Sequence, residues 1–315
     1  LIEDMLGAAD PGEVRGKDFR LRHVLDDLER GLPARMGGEP AVEARVRRLL
    51  GNAYHGLGLL EPAERNLRAA LLAQQQLHGP NHVAVAVGLR DLATTLKARG
   101  KLQEAETLGR QSLAMATELL GDGDREVAQC CDQLGMILAR SSKHPESVLL
   151  HQRAVSILQG LTGVEDTELA ASLSNLAEAK SEMGDLIEAE RLDRQALAIV
   201  TARLGHEHTQ VATILDNLGS VLLEQGKHTE SEQLRRQALE LRRKLLGEDH
   251  PSYGSSLNNL AATLAYQGKL VEAEALFRRA LDTSRQLLGD EHPDVATSIA
   301  NVGFVHLKQG RAREA

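Results

Sequence analysis

Between residues 247 and 268 the string GEDHPSYGSSLNNLAATLAYQG sets Leu257, Leu260, Ala261 and Leu264 at i, i+3, i+4 and i+7, one apolar stripe of a helix. The string that follows, KLVEAEALFRRALDTSRQLLG, gives a second stripe of Ala273, Leu276, Ala280, Leu281 and Leu287 and leaves Arg278, Arg279 and Arg285 for water. Two amphipathic helices, A and then B, are predicted. Their pattern recurs along the chain. Glycine falls at Gly37, Gly79, Gly121, Gly163, Gly205, Gly247 and Gly289, and a second series reads Gly58, Gly100, Ser142, Gly184, Gly226, Gly268 and Gly310, with a step of 42 residues throughout. A period of this length marks a solenoid, in which each unit buries its apolar face only by stacking on its neighbours. Both glycine series are expected to end helices in the left-handed C-cap conformation, and Pro251 and Pro293 to open helices, where a missing N–H is tolerated.

Small residues keep the same register. Gly51, Ala93, Gly135, Ala177, Gly219, Ala261 and Gly303 share one position of helix A, and Ala63, Ala105, Ser147, Ala189, Ser231, Ala273 and Ala315 share one of helix B. Paired helices are expected to approach closely there, and a leucine at either position to overpack the seam by roughly 1 to 3 kcal/mol. Before the repeats, Leu21, Val24, Leu25, Leu28 and Leu32 form a stripe on an unpaired helix near residues 17–31, suited to covering the first unit.

Composition agrees with helix stacking: aromatic residues are 2% of the chain and Trp is absent, so Leu, Ala, Val and Ile must fill the core. At 26% charged and 42% apolar the chain has the composition of a folded protein. A net charge of −8 gives no electrostatic reason to expect nucleic acid or an anionic membrane as partner. Cys130 and Cys131 are adjacent on a helix, where a mutual disulfide would be strained, so a reducing compartment is expected. No apolar run is long enough to span a bilayer, and no secretory signal is present. The first residue, Leu1, and the final RAREA, just inside a helix, suggest a piece of a longer chain, with residues 1–16 as a linker from a preceding region.

The pattern L-x-N-L-A/G, G-K/R-x-x-E-A-E, R-A-L, L-G-x-x-H-P is clearest in LDNLGSVLLEQGKHTESEQLRRQALELRRKLLGEDHP and LNNLAATLAYQGKLVEAEALFRRALDTSRQLLGDEHP. It resembles the tetratricopeptide repeats of kinesin light chains and their bacterial relatives, over residues 17 to 315, with a weaker unit around SSKHPES. The resemblance implies an all-α, right-handed superhelical α-solenoid of antiparallel helix pairs: a covering half repeat at 17–36, then about seven 42-residue repeats at 37–315, the last truncated. The opening stretch, from LIEDMLGAADPGEV to RRLLGNAYHGLG, also resembles the start of the repeat region in bacterial serine/threonine protein kinases, although no kinase motif is present. Its location is accordingly expected to be cytoplasmic, or the soluble part of a membrane-anchored protein.

Candidate chemistry is sparse. His82, His208, His250 and His292 recur one per repeat, about 10 Å or more apart given helix spacings of 8 to 10 Å, too far to share zinc. They are expected to stabilise turns or cap helices. His206-Glu207-His208 lacks the i, i+4 spacing of a metalloprotease helix. GDGDRE at 121–126 lacks the ligand series of a calcium loop, and Asp124 reads as an N-cap. GLGLLEPAE at 56–64 has no Gly-Lys-Ser/Thr and is no phosphate loop. No catalytic residue, metal or cofactor is expected.

The family resemblance places the concave positions of helix A at Ser255, Asn258, Asn259 and Ala262 in the unit of Leu257. The Asn259 register reads Asp91, Gln133, Asn175, Asn217, Asn259 and Asn301. An amide offers donor and acceptor together, so this ladder suits the backbone of an extended peptide; the same amides would equally bond one another and stabilise the stack. Early repeats add Arg45, Arg48, Arg90 and Lys97, with Arg140 near the rim, and later ones add Asp132, Glu178, Asp216 and Asn258. The expected groove is basic in its first half and neutral to acidic in its second; the bland alternative is a solvated charged face. The expected function is a scaffold for a protein or peptide partner, as a regulatory kinase tail or a free-standing kinesin-light-chain-like adaptor. An enzyme using the concave face is the rival. Self-association is a further expectation, from the apolar face left on the final helix A.

Overall fold

The computed structural model describes residues 21–36, 38–162, 167–248, 250–288, 290 and 293–311. The expected linker at 1–16, the start of the covering helix at 17, Gly37, Gly163, Gly289, His292 and Ala315 lie outside the described residues. Within them the chain forms helices and no strands. A leading helix, α1 (Leu21–Met36), precedes the pairs α2 (Pro40–Gly56) with α3 (Leu60–His78) and α4 (Val83–Ala98) with α5 (Leu102–Leu120), and after these come α6 (Arg125–Arg140) and α7 (His144–Thr162). Then come α8 (Thr167–Glu182) with α9 (Leu186–Leu204), α10 (Thr209–Glu224) with α11 (His228–Leu246), α12 (Pro251–Tyr266) with α13 (Leu270–Leu288), and α14 (Pro293–Lys308). Even-numbered helices are the A helices. The chain divides into two compact units, Leu1–Ser142 and Lys143–Ala315. Helices α1 to α6 make up the described part of the first and α7 to α14 that of the second.

Within each unit the A-to-B turn is too short to let the two helices do anything but fold back antiparallel. After Leu96 the turn closes with Lys101 N–H donating to the Leu96 carbonyl at 2.9 Å, and the same bond recurs from Lys227 to Leu222 at 2.8 Å and from Lys269 to Leu264 at 2.9 Å. This six-to-one closure needs a left-handed residue just before the donor, which Gly100, Gly226 and Gly268 supply. Ser142 stands in that place with φ 59°, the one non-glycine among the described residues with positive φ.

The other glycine series departs from expectation. Gly79 has φ 82° and ψ 170°, and Gly205 has φ 78° and ψ 177°, an extended mirror-image conformation instead of the left-handed helical one. Only glycine adopts it without strain, and it swings the chain out of helix B into an extended stretch leading to the next helix A. That stretch ends in the expected caps. His82, His208 and His250 each accept from a backbone N–H two residues on, at 3.1 Å, through Nδ1. Asp124 accepts from Glu126 N–H at 2.7 Å in the same place. Pro251 opens α12.

The small-residue seam is buried as expected. Ala63, Ala105, Ala189 and Ala273 are fully buried, as are Ala93, Ala177 and Ala261 opposite them. A Cβ on Gly51 would sit 2.6 Å from Leu67 Cγ, and one on Gly219 would sit 2.9 Å from Arg235 Cγ, so both glycines are required by contact. Helix α1 covers α2 through buried Leu25 and Leu32, packed with Leu50 and Tyr54. Tyr54 Oη donates to Asp26 Oδ1 at 2.8 Å, which fixes the register of the cover.

In each unit, consecutive A helices touch one another, as α2 and α4 do in the first and α8, α10 and α12 in the second. Consecutive B helices stand farther apart among the described residues and are joined by long side chains, as Arg194 joins Glu230. Closer spacing in one of two stacked layers means that each unit curves with its A layer on the inside.

Candidate functional site

The inner face of the second unit carries the asparagine register. Asn175, Asn217, Asn259 and Asn301 are all half-buried, on α8, α10, α12 and α14. Asn217 Nδ2 donates to Ser174 Oγ at 3.1 Å, and Ser174 in turn donates to Asp193 Oδ1 at 2.7 Å. The side chains of Asn175, Asn259 and Asn301 have no hydrogen-bond partner among the described residues. Asn259 is nevertheless held firmly through its backbone, since Arg235 Nη1 donates to its carbonyl at 2.6 Å and to Thr263 Oγ1 at 2.6 Å. The neighbouring Asn258 Nδ2 reaches Ser298 Oγ at 3.4 Å. Glu178 is exposed on the same layer. Asp216 is not. It is buried, pairs with Arg242 and accepts from Ser256 Oγ at 3.0 Å, so its charge is neutralised inside the stack instead of facing a groove.

The first unit differs. Arg48 Nη1 donates to Asp91 Oδ2 at 3.0 Å, and Asn52 Nδ2 donates to the same oxygen at 3.2 Å. Arg90 pairs with Glu126, lies 3.3 Å from Asp91 and donates to Gln129 Oε1 at 2.5 Å. Carboxylates on the adjacent A helices therefore compensate both arginines. Lys97 Nζ lies 3.6 Å from Met136 Sδ, and Gln133 Oε1 accepts from Thr94 Oγ1 at 2.9 Å. Asp132 is half-buried and Arg140 exposed. Arg45 is exposed and has no partner among the described residues.

Behind the second unit's face lies chemistry that the sequence pattern did not single out. Asp193, on α9, is fully buried and its Oδ2 has no partner. Burial pushes its carboxyl up to about 7, against the opposing hydrogen bond from Ser174, and the charge of Glu178 raises it further. The signal was available in the register Leu67, Gly109, His151, Asp193, Arg235 and Phe277, where ionisable residues occupy a core position. In the first unit Cys130, one of the two cysteines noted in the sequence, is buried 3.2 Å from Ser112 Oγ, and burial raises its thiol to about 11, which leaves it unreactive.

No three His, Cys, Asp or Glu side chains come together so as to hold a metal ion among the described residues. No described helix is long and apolar enough to cross a membrane.

The fold and its amide-lined inner face define a helical-repeat scaffold. The family model for the tetratricopeptide repeat matches residues 42–118, 98–160, 168–244, 210–283 and 254–315, and the chain belongs to this family. A search of the curated proteins found no match. Among solved structures, a kinesin light chain with nearly identical TPR-like repeats from Podosopora anserina, described as putative, shares 24% identity with TM-score 0.55, over 65% of this chain and 97% of that one. BtubC (BKLC) from P. vanneervenii shares 24% identity with TM-score 0.60, over 74% of this chain and 94% of that one. A Rap protein complexed with competence and sporulation factor shares 17% identity with TM-score 0.63, over 93% and 81% of the two chains. These likenesses concern the fold.

Proposed function

We propose that the inner face of the second unit binds an extended segment of a partner protein, with Asn175, Asn259 and Asn301 pairing with its backbone. The observation that carries this reading is the row of half-buried amides in one register whose side chains have no partner among the described residues. A half-buried amide keeps a donor and an acceptor open to a ligand, and an extended backbone offers the matching acceptor and donor. The Rap neighbour, solved with competence and sporulation factor, supports a binding role for such a fold. Selection from a displayed library of random peptides tests it: binders to the chain should be lost with Asn175→Ala, Asn259→Ala and Asn301→Ala together, and binders indifferent to all three would overturn it.

The setting of that binding has two forms. The likeness of the opening stretch to the repeat region of bacterial serine/threonine kinases favours a recruitment tail, and the kinesin-light-chain-like neighbours favour an adaptor. The complete gene separates them: a kinase domain encoded ahead of residue 1 supports the tail, and its absence supports the adaptor.

A further inference from the structure

The wider spacing of the B helices leaves wedges between them, each floored by the helix A that lies behind. In the second unit the wedge between α9 and α11 is open. It is a cavity of about 560 Å³, floored by Val211 and Leu215 of α10 and walled by Leu197 of α9 and Leu241 of α11. That volume falls within the range of about 300 to 1,000 Å³ found for ligand sites. The lining is mostly apolar, and His206, Gln237 and Glu240 stand exposed at its rim.

One repeat later the chain fills the same wedge itself. The Val211 register reads Val85, Val127, Leu169, Val211, Tyr253 and Val295, with a single aromatic residue. Tyr253 is 2% exposed, and its ring lies among Leu257, Ala280, Leu239 and Leu276. Arg279 Cζ stands 5.3 Å from the ring centroid, a cation–π contact. The Tyr253 hydroxyl makes no hydrogen bond among the described residues, so apolar contact and the guanidinium hold the ring.

Forty-two residues earlier the seat of that ring is repeated residue for residue, with Leu197 for Leu239, Leu215 for Leu257, Leu234 for Leu276 and Ala238 for Ala280. Two positions differ: Val211 brings no ring, and Gln237 replaces Arg279. The seat for an aromatic side chain is therefore present and the chain supplies nothing to fill it. Apolar surface of this kind gains by exchanging water for a flat apolar group. Gln237 indicates where the ring comes from. Its amide is exposed and has no hydrogen-bond partner among the described residues, so it offers a donor and an acceptor to the main chain on either side of a docked residue.

We propose that the wedge between α9 and α11 is a docking site on the outer face for a tyrosine side chain of a partner protein. The ring sits over Val211 and Leu215 as Tyr253 does one repeat on, and Gln237 bonds the main chain beside it. The site is independent of the asparagine register on the inner face, so Asn175→Ala, Asn259→Ala and Asn301→Ala together should leave it unchanged. N-acetyl-L-tyrosinamide is the probe and N-acetyl-L-leucinamide the aliphatic control. In NMR titrations of the intact chain the methyl resonances of Leu197, Val211 and Leu215 should shift saturably with the tyrosine probe. An equal concentration of the leucine compound should neither saturate the site nor displace the probe. Val211→Tyr, which supplies the ring from the chain, should abolish probe binding with the thermal midpoint kept or raised. Gln237→Arg, at an exposed position, restores the cation and should tighten probe binding about two- to fivefold, the value of an exposed cation–π contact. No saturable shift, an equal response to the leucine compound, undiminished binding in folded Val211→Tyr, or unchanged affinity in Gln237→Arg overturns the site. If Val211→Tyr does not fold, Gln237→Arg decides alone. Tyr266, 65% exposed on α12, is the tyrosine a second copy could offer. A dimer in sedimentation that both Val211→Tyr and Tyr266→Ala dissolve would place that copy in the wedge and overturn the assignment to a partner protein.

Discussion

Lys227 Nζ donates to Glu190 Oε2 at 2.8 Å across a sequence separation of 37 residues, and one repeat later Lys269 does the same to Glu232 at 2.8 Å. Each glutamate is also gripped from its own helix, Glu190 by Arg194 and Glu232 by Arg236, both at 2.8 Å. Those arginines reach onward to Glu230 at 2.6 Å and Glu272 at 2.7 Å in the following repeat. The consensus G-K-x-x-E-A-E is thus an ion-pair ladder that ties each repeat to the next. In the first unit Glu64 holds the same place, bonded to Lys101 at 2.9 Å and to Arg99 and Arg68.

The ladder should set the acid sensitivity of the second unit. The Lys227 hydrogen bond foremost, against burial, holds Glu190 at about 2, and Lys269 does the same for Glu232. A carboxylate depressed in the folded state contributes stability that is complete above its unfolded value, near 4.3, and is lost as pH falls through about 2. Glu190→Gln with Glu232→Gln should lower stability at pH 7 by roughly 0.5 to 1 kcal/mol per site and flatten its dependence below pH 4.5. Urea unfolding at a series of pH values measures this.

Asp193 should act in the opposite sense. Its folded-state value of about 7 lies above that of the unfolded chain, so the folded protein holds a proton that the unfolded one has released. Stability from this group is full below about pH 4 and declines up to about pH 7. Asp193→Asn, which keeps an acceptor for Ser174, should stabilise the protein by about 1 to 3 kcal/mol at pH 8 and change little at pH 4. Denaturant midpoints of the two proteins at both pH values give the comparison.

Ser142 occupies a turn position where its left-handed φ of 59° disfavours any side chain. Ser142→Gly should raise the thermal midpoint, gaining on the order of 1 kcal/mol. A neutral or destabilising result in calorimetry would mean that the serine hydroxyl makes good the strain.

The helices were legible in the sequence because stacking repeats one apolar register, and a register survives inspection of a single chain. The His82, His208 and His250 caps were legible for the same reason. What escaped were relations between repeats. The arginines at 48 and 90 read as free charge, because nothing in the sequence shows that Asp91 and Glu126 on the adjacent helices reach them. Asp216 read as a groove residue, although Arg242, 26 residues on, draws it into the core. Each of these depends on how far one helix leans on another, which periodicity does not encode.

The central claim is that the asparagine register holds a partner's backbone. Calorimetric titration of a library-selected peptide against the chain and against Asn175→Ala, Asn259→Ala, Asn301→Ala tests it most directly, with the thermal midpoint of each as a check on folding. The account predicts roughly tenfold or greater loss of affinity in the triple variant with the midpoint unchanged, since each lost backbone hydrogen bond is worth about 0.5 to 1.5 kcal/mol. Equal affinity for both proteins would contradict it.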